Sequence, residues 1–285
     1  MKPRVRCGIC LLKWTCERAL MEGATSEKLF GELLKTAESV LSEETNLGLL
    51  ANLLVWKAYE VCGGKLSYFE GFKKACNQNA STILPLVKRY VTEDGKEEEM
   101  LKRAIKVACA ANVSPIGGPT KPYSFEEIKN VVEGVVEVEI GEEPLKVVYG
   151  AKKIVYILDN AGEVGFDSVL IELLKTMGKE VVVFVKRAPF FEDASVDDVK
   201  YFSIEKLVDE VCELSGFPVE VHLNEYQKEI LYSADLVISK GVGSYEALGQ
   251  EKKGTRVLYL LKAKCAPLTQ VLGVRLGEYW LGVEG

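Results

Sequence analysis

The stretch Asp159-Asn160-Ala161-Gly162-Glu163-Val164-Gly165-Phe166-Asp167 and, further along, Glu192-Asp193 place oxygen donors shortly after apolar runs. An Asp and an Asn side by side, joined by an Asp from a neighbouring strand, supply the hard oxygen ligands that Mg2+ or Mn2+ prefers. The Asp159-Asn160 pair is equally what a turn or helix N-cap uses, and the two roles are compatible. Lys240-Gly241-Val242-Gly243 offers a cation and backbone amides at a helix start, chemistry suited to a phosphate, though a bare turn would use the same glycines. As a dinucleotide fingerprint the stretch is poor. Glu246 stands where the third glycine belongs and would face a pyrophosphate with like charge. The chain has a single histidine, His222, which is assigned a structural or surface role, so zinc catalysis on histidines is set aside. Cys7-Gly8-Ile9-Cys10, with Cys16 beyond it, is one CxxC pair able to hold a metal or cycle as a dithiol; a complete metal site would need distant partners such as Cys62 or Cys76. Cys62, Cys76, Cys109 and Cys212 read as small buried hydrophobes on helical faces.

For these residues to meet, short elements must carry them to one rim. Ile154-Val155-Tyr156-Ile157-Leu158, Val181-Val182-Val183-Phe184-Val185, Leu236-Val237-Ile238-Ser239 and Val257-Leu258-Tyr259-Leu260-Leu261 are unalternating and rich in β-branched or aromatic residues, the pattern of strands buried on both faces. Helices are expected between and after them over 169–177, 204–212, 225–232 and 245–249. The order β-α-β-α-β-α-β predicts a doubly wound, mostly parallel, Rossmann-like α/β domain over 136–285. In such sheets ligands bind beyond the carboxyl ends of the strands. The residues just past the runs are polar: Asp159-Asn160, Lys186-Arg187, Lys240-Gly241 and Lys262-Ala263-Lys264-Cys265.

Residues 1–135 have helical period throughout and are expected to form an all-α bundle that lids the site. Apolar residues recur at three- and four-residue spacing over 29–41 and 49–61. Cys62-Gly63-Gly64-Lys65 stops the second of these helices, and a segment begun by Ser67 carries Phe69, Phe72 and Cys76. A helix over 96–111 has Glu97, Glu98 and Glu99 in its first turn, and one over 125–132 is capped by Ser124 with Glu127 three residues on. The Pro/Gly cluster from Ser114 to Pro122 reads as a loop facing the α/β domain.

Composition bounds the rest. The 285 residues are 48% hydrophobic and 27% charged, which is globular, and 36 basic against 42 acidic residues leave a formal charge of −6 with no general field for nucleic acid or anionic lipid. No apolar run approaches the ~20 residues of a spanning helix. A cytoplasmic protein with mostly reduced cysteines is expected. Few Gln, one His and abundant Glu, Lys and Val match a thermophile bias.

Four ordered motifs, Asp-Asn-Ala-Gly-Glu-x-Gly-Phe-Asp at 159–167, Val-Lys-x-x-Pro-x-x-x-Asp-Ala at 185–194, Ser-Lys-Gly-x-Gly-x-x-Glu at 239–246 and Leu-Lys-Ala-Lys-Cys at 261–265, resemble the damage-control phosphatases. That family was long catalogued as domain of unknown function 89. The resemblance spans nearly the whole chain, and the early CxxC and helical first half are similar to its archaeal-type branch. It implies a divalent metal (Mg, Mn, Co or Ni) on Asp159, Asn160 and Asp193, with phosphate contacts from Lys240, Lys262, Gly241 and Gly243. Asn112 is implied to reach the site, and Glu163, Asp167 and Glu246 to stand behind the ligands. The catalytic residues would be Asp159, Asp193 and Lys240. Two positions depart from the pattern: Ser244 replaces the usual Asn, and Asn112-Val113-Ser114-Pro115 lacks the Asp of an Asn-x-x-Asp pattern. The implied activity is metal-assisted hydrolysis of sugar phosphates or damaged phosphometabolites, with either water or an aspartate as nucleophile. A Rossmann-like methyltransferase or nucleotide-binding enzyme and a non-catalytic phosphometabolite-binding protein are the alternatives. The expected partner is a small phosphorylated metabolite; oligomeric state is left open.

Overall fold

A computed structural model describes residues 4–25, 27–42, 44–63, 68–93, 95–115, 119–249 and 254–285. Gly64, Lys65 and Ser67 of the expected helix stop and start, and Ile116, Gly117 and Gly118 of the Pro/Gly cluster, lie outside these. Among the described residues seven helices precede the first strand: α1 (Val5–Met21), α2 (Lys28–Val40), α3 (Leu47–Val61), α4 (Tyr68–Thr92), α5 (Glu97–Ala110), α6 (Glu126–Val132) and α7 (Glu142–Gly150). The α/β part continues as β1 (Lys153–Ile157), α8 (Glu163–Thr176), β2 (Glu180–Lys186), α9 (Val196–Tyr201), β3 (Glu210–Leu214), α10 (Glu225–Ser233), β4 (Leu236–Lys240), α11 (Gly241–Leu248), β5 (Arg256–Lys262), α12 (Ala266–Leu272) and β6 (Tyr279–Glu284). The six strands form one sheet in the order β3-β2-β1-β4-β5-β6, parallel except for antiparallel β6. This is the expected doubly wound α/β architecture.

Both faces of the sheet are buried, which is why its inner strands do not alternate. Ile154, Tyr156, Val183 and Ile238 join a core that continues through Phe166 of α8 into Val107 of α5 and Leu54 of α3. Val155, Ile157, Phe184 and Val237 face the other way, against Ile230 of α10 and Tyr245 of α11. The expected boundary near residue 135 falls just after α6, and helices before it share the first core with the sheet. Among the described residues no helix is long and apolar enough to cross a membrane.

Two local expectations are corrected. The segment 204–212 is not a helix: a single 3-10 turn at Ile204–Lys206 leads into β3. The three- and four-residue spacing of Ile204, Leu207, Val208 and Val211 imitates a helical face, but Ser203 at φ 56° redirects the chain and the strand residues beyond it pair with β2. Ser124 does not cap α6. The N-cap is Phe125, held left-handed at φ 56° without a side-chain cap, its ring buried edge-on against Phe166. Helices α8 and α11 also begin earlier than their apolar pattern, directly on Glu163 and Gly241.

Candidate active site

The turn after β1 sets the site. Gly162 adopts φ 78°, and an added Cβ would stand 2.6 Å from the Phe125 ring, so only glycine fits. Its N–H donates to Asn77 Oδ1 of α4 at 2.7 Å. Asp159 and Asn160 are thereby held between the strand end and the first turn of α8, with Glu163 beginning the helix. The segment after β2 crosses this turn. Asn160 and Asp193 form an antiparallel bridge, Ala194 N–H donates to Asp159 O at 2.8 Å, and Ala161 N–H donates to Glu192 O at 3.0 Å. Sequence-distant carboxylates are thus fixed by main-chain bonds.

Asp159, Asn160, Glu163, Asp167 and Asp193 are all buried. Asn160 Nδ2 donates to Asp159 Oδ2 at 2.7 Å and to Glu163 Oε1 at 2.9 Å, while Asn112 Nδ2 donates to Asp159 Oδ2 at 2.8 Å. Asn112 therefore reaches the site without the Asp of an Asn-x-x-Asp pattern; Ser114 instead donates to Glu192 Oε1 at 3.2 Å. Burial pushes the Glu163 carboxyl up to about 8, Lys240 opposing and Asp159 adding to the shift. Burial likewise pushes Asp193 up to about 7, against Lys186, whose Nζ lies 2.7 Å from Asp193 Oδ2. Enclosed carboxylates that resist ionisation together form a donor set that a cation would relieve.

Lys240 lies beneath this group rather than on the cavity wall. It is fully buried, 2.8 Å from Asp167 Oδ1 and 3.4 Å from Glu163 Oε2, and although burial works against its charge these carboxylates outweigh it and raise its pKa. Asp167 Oδ1 also accepts from Tyr156 OH at 2.7 Å. Gly241 has φ 77°, and a Cβ there would lie 2.1 Å from Asp159 Oδ2. Gly243 lines the cavity with Phe217 against its backbone. Lys262 is turned away: its Nζ pairs with Glu127 Oε2 at 2.6 Å and lies over the Tyr279 ring. The lysine that faces the cavity is Lys264, two residues later, with no ion pair or hydrogen bond among the described residues. Burial lowers its pKa, against the pull of Glu163 and Asp159.

The cavity has a volume of about 340 Å³. Its polar floor is Asp159, Asn160, Asp193 and Lys264; its walls include Leu11 and Trp14 of α1 and Phe217. Glu246 stands on the wall, burial pushing it up to about 7. Cys7 and Cys10 also face the cavity, and the cysteine beside them is Cys265, not Cys62 or Cys76. His222 is tied to Asn52 at 3.0 Å and packs on Trp56, a structural placement away from the cavity. Among the described residues no three His, Cys, Asp or Glu side chains are grouped to hold a metal. A hard cation on the floor would therefore rest on Asp159, Asp193 and the amide oxygen of Asn160, its shell completed by water and substrate, which suits Mg2+ or Mn2+.

The sequence profile of the damage-control phosphatase ARMT1-like domain matches residues 4–280. The chain belongs to that family. It is 29% identical to an uncharacterised protein of Methanocaldococcus jannaschii over 98% of this chain and 94% of that one. It is 28% identical to a damage-control phosphatase of Archaeoglobus fulgidus, covering 98% of each. The crystal structure of a DUF89 family protein from Pyrococcus horikoshii superposes with a TM-score of 0.79 at 24% identity over 98% of both chains, so the two share a fold. In this member of the ARMT1-like family Lys186, Glu192 and Lys264 stand among the polar residues expected along the rim, but their sequence neighbourhood assigns them no role in the site. The second lysine of Lys-Ala-Lys-Cys was the available signal for Lys264; nothing local marks Lys186 as the partner of Asp193.

Proposed function

We propose that this chain hydrolyses small phosphomonoesters, damaged phosphometabolites or sugar phosphates, using a divalent cation held by Asp159, Asn160 and Asp193. The observation that carries the reading is the convergence of those three residues on the cavity floor beside Lys264, a lysine with no ion pair among the described residues. The cation, whether Mg2+, Mn2+, Co2+ or Ni2+, supplies Lewis-acid polarisation of the phosphoryl group. Lys264 and the Gly243 backbone then face the phosphate oxygens, while Lys240 from below offsets the charge of Asp167 and Glu163. Asn112 and Asn160 hold the Asp159 carboxylate in one orientation. Trp14 and Phe217 exclude water from the leaving-group side. The first 135 residues act as the lid, since α1 supplies a wall of the cavity. That relatives carry the name damage-control phosphatase supports the substrate class. A cytoplasmic setting suits eight cysteines that are all free. A dinucleotide is disfavoured because Asp159 fills the space against Gly241 and Glu246 faces the cavity, leaving like charge where a pyrophosphate would lie.

The test is hydrolysis of p-nitrophenyl phosphate and a panel of sugar phosphates by chelator-stripped protein, each metal being added back. Turnover is expected only with metal, to vanish in Asp159→Ala, and to show a raised KM with a smaller change in kcat in Lys264→Met. Metal-independent turnover, or turnover that survives Asp159→Ala, overturns the reading.

A further inference from the structure

Arg18 of α1 is fully buried, and so is its partner Glu192, the residue next to Asp193. Arg18 Nε lies 2.9 and 2.8 Å from the two Glu192 oxygens, and its Nη2 closes on Oε1 as the second tine of a fork. The guanidinium stacks 4.6 Å from the Trp14 ring centroid and reaches the Pro115 carbonyl at 3.4 Å. The segment it grips is otherwise unusual. Phe191 is left-handed at φ 52°, its N–H donating to Tyr59 OH at 2.8 Å and its ring packed on Trp14, Tyr59 and Phe69. The Glu192 carbonyl meanwhile accepts from Ala161 in the turn that carries Asn160.

A buried ion pair is a poor device for stability alone, because desolvation consumes most of the Coulombic gain and apolar residues of equal volume do as well or better. What a bidentate fork provides, and an apolar contact does not, is a single geometry. We propose that Arg18 is a positioning residue: through Glu192 it fixes the main chain that presents Asp193 to Asn160 and Asp159, so that seating of α1 and assembly of the cation site are one event. The inference rests on the reading that Asp159, Asn160 and Asp193 hold a divalent cation. Lys186 fixes the Asp193 side chain from one side; Arg18 fixes its backbone from the other.

The deciding comparison uses the full chain and Mn2+ binding measured by calorimetry, with thermal unfolding of each variant. In Arg18→Met/Glu192→Met the pair is replaced by apolar side chains, so its Tm is expected at or above that of the wild type, whereas Arg18→Met alone strands the Glu192 carboxylate and lowers it. If the pair positions Asp193, the folded double variant binds Mn2+ at least tenfold more weakly, the range found when groups that orient metal ligands are removed. Arg18→Lys, which keeps the charge without the fork, serves where the double variant does not fold, and is expected to weaken Mn2+ binding in the same direction. A structural role alone would move Tm and leave the affinity of the folded fraction unchanged; wild-type affinity in a folded variant overturns the proposal. A wild type that binds no Mn2+, or an Asp159→Ala variant that binds it undiminished, overturns the cation reading itself and the proposal with it.

Discussion

Gly241 shows how closely the residues of the site are fitted. Its left-handed backbone lets the chain pass against the Asp159 carboxylate, and the space a side chain would need is already occupied by Asp159 Oδ2. Gly241→Ala should therefore cost about 1–2 kcal/mol for the left-handed Cβ alone, and displacing Asp159 should weaken Mn2+ binding and turnover at least tenfold. Calorimetric titration and thermal unfolding check both; full Mn2+ affinity in the alanine variant would mean that Asp159 is not a ligand. Asp159, Asn160 and Asp193 were legible because each lies just beyond an apolar run or its connecting loop, where parallel sheets build their sites. The lysines were legible as charges but not as directions. Lys262 is claimed by Glu127 and Lys240 by Asp167. Those partners come from α6 and α8, and local sequence carries no trace of the pairings.

The elements that carry these residues are tied at a few capped joints. Asn46 accepts from the N–H groups of Gly48 and Leu49 at the start of α3 and donates to the Ala247 carbonyl of α11 at 2.8 Å. An added Cβ on Gly48 would lie 2.6 Å from Ala247 Cβ, so the two helices touch backbone to backbone. Asn46→Ala removes a cap worth about 1 kcal/mol and a buried inter-helix bond of about the same size. The expected outcome is a loss of about 2 kcal/mol in denaturant unfolding, with the Mn2+ affinity of the folded protein retained, since Gly48, Leu49 and Ala247, which these bonds join, do not line the cavity; a loss below about 0.5 kcal/mol would show that neither contact contributes. The inner strands β1, β2, β4 and β5 were readable because burial on both faces writes an unbroken apolar run. The two strands missed, β3 and β6, are the two sheet edges. β3 carries Glu210 and Glu213, and charge on an edge strand discourages further pairing while erasing the apolar run. β6 is only half-buried, and Gly282 interrupts the apolar stretch Tyr279-Trp280-Leu281 before Val283.

At the scale of the molecule, helices before residue 135 and the sheet close over one core, and this enclosure is what denies the site carboxylates their water. Ionising them is therefore charged against folding. Glu163 moves from an ordinary 4.5 up to about 8 and Asp193 from 3.8 up to about 7, both because burial disfavours the anion. For an acid whose folded pKa is raised, the folded state holds more protons than the unfolded chain between the two values, so stability falls as pH rises through that window. Below about pH 4 the penalty is absent, and above about pH 8 it is complete. Chelator-treated protein should lose Tm steadily from about pH 5 to about pH 8. A divalent cation held as proposed would reverse the sign of the interaction, because it would favour the ionised carboxylates and bind the folded state in preference to the unfolded chain. Mn2+ should raise Tm little near the acid end of that window and more near its alkaline end, flattening the profile. Unfolding scans across pH, with and without Mn2+, test both halves at once. A metal-free profile that is flat or rises over this range would mean that Glu163 and Asp193 are hydrated in solution, and a Mn2+ effect independent of pH would place the ion elsewhere on the protein.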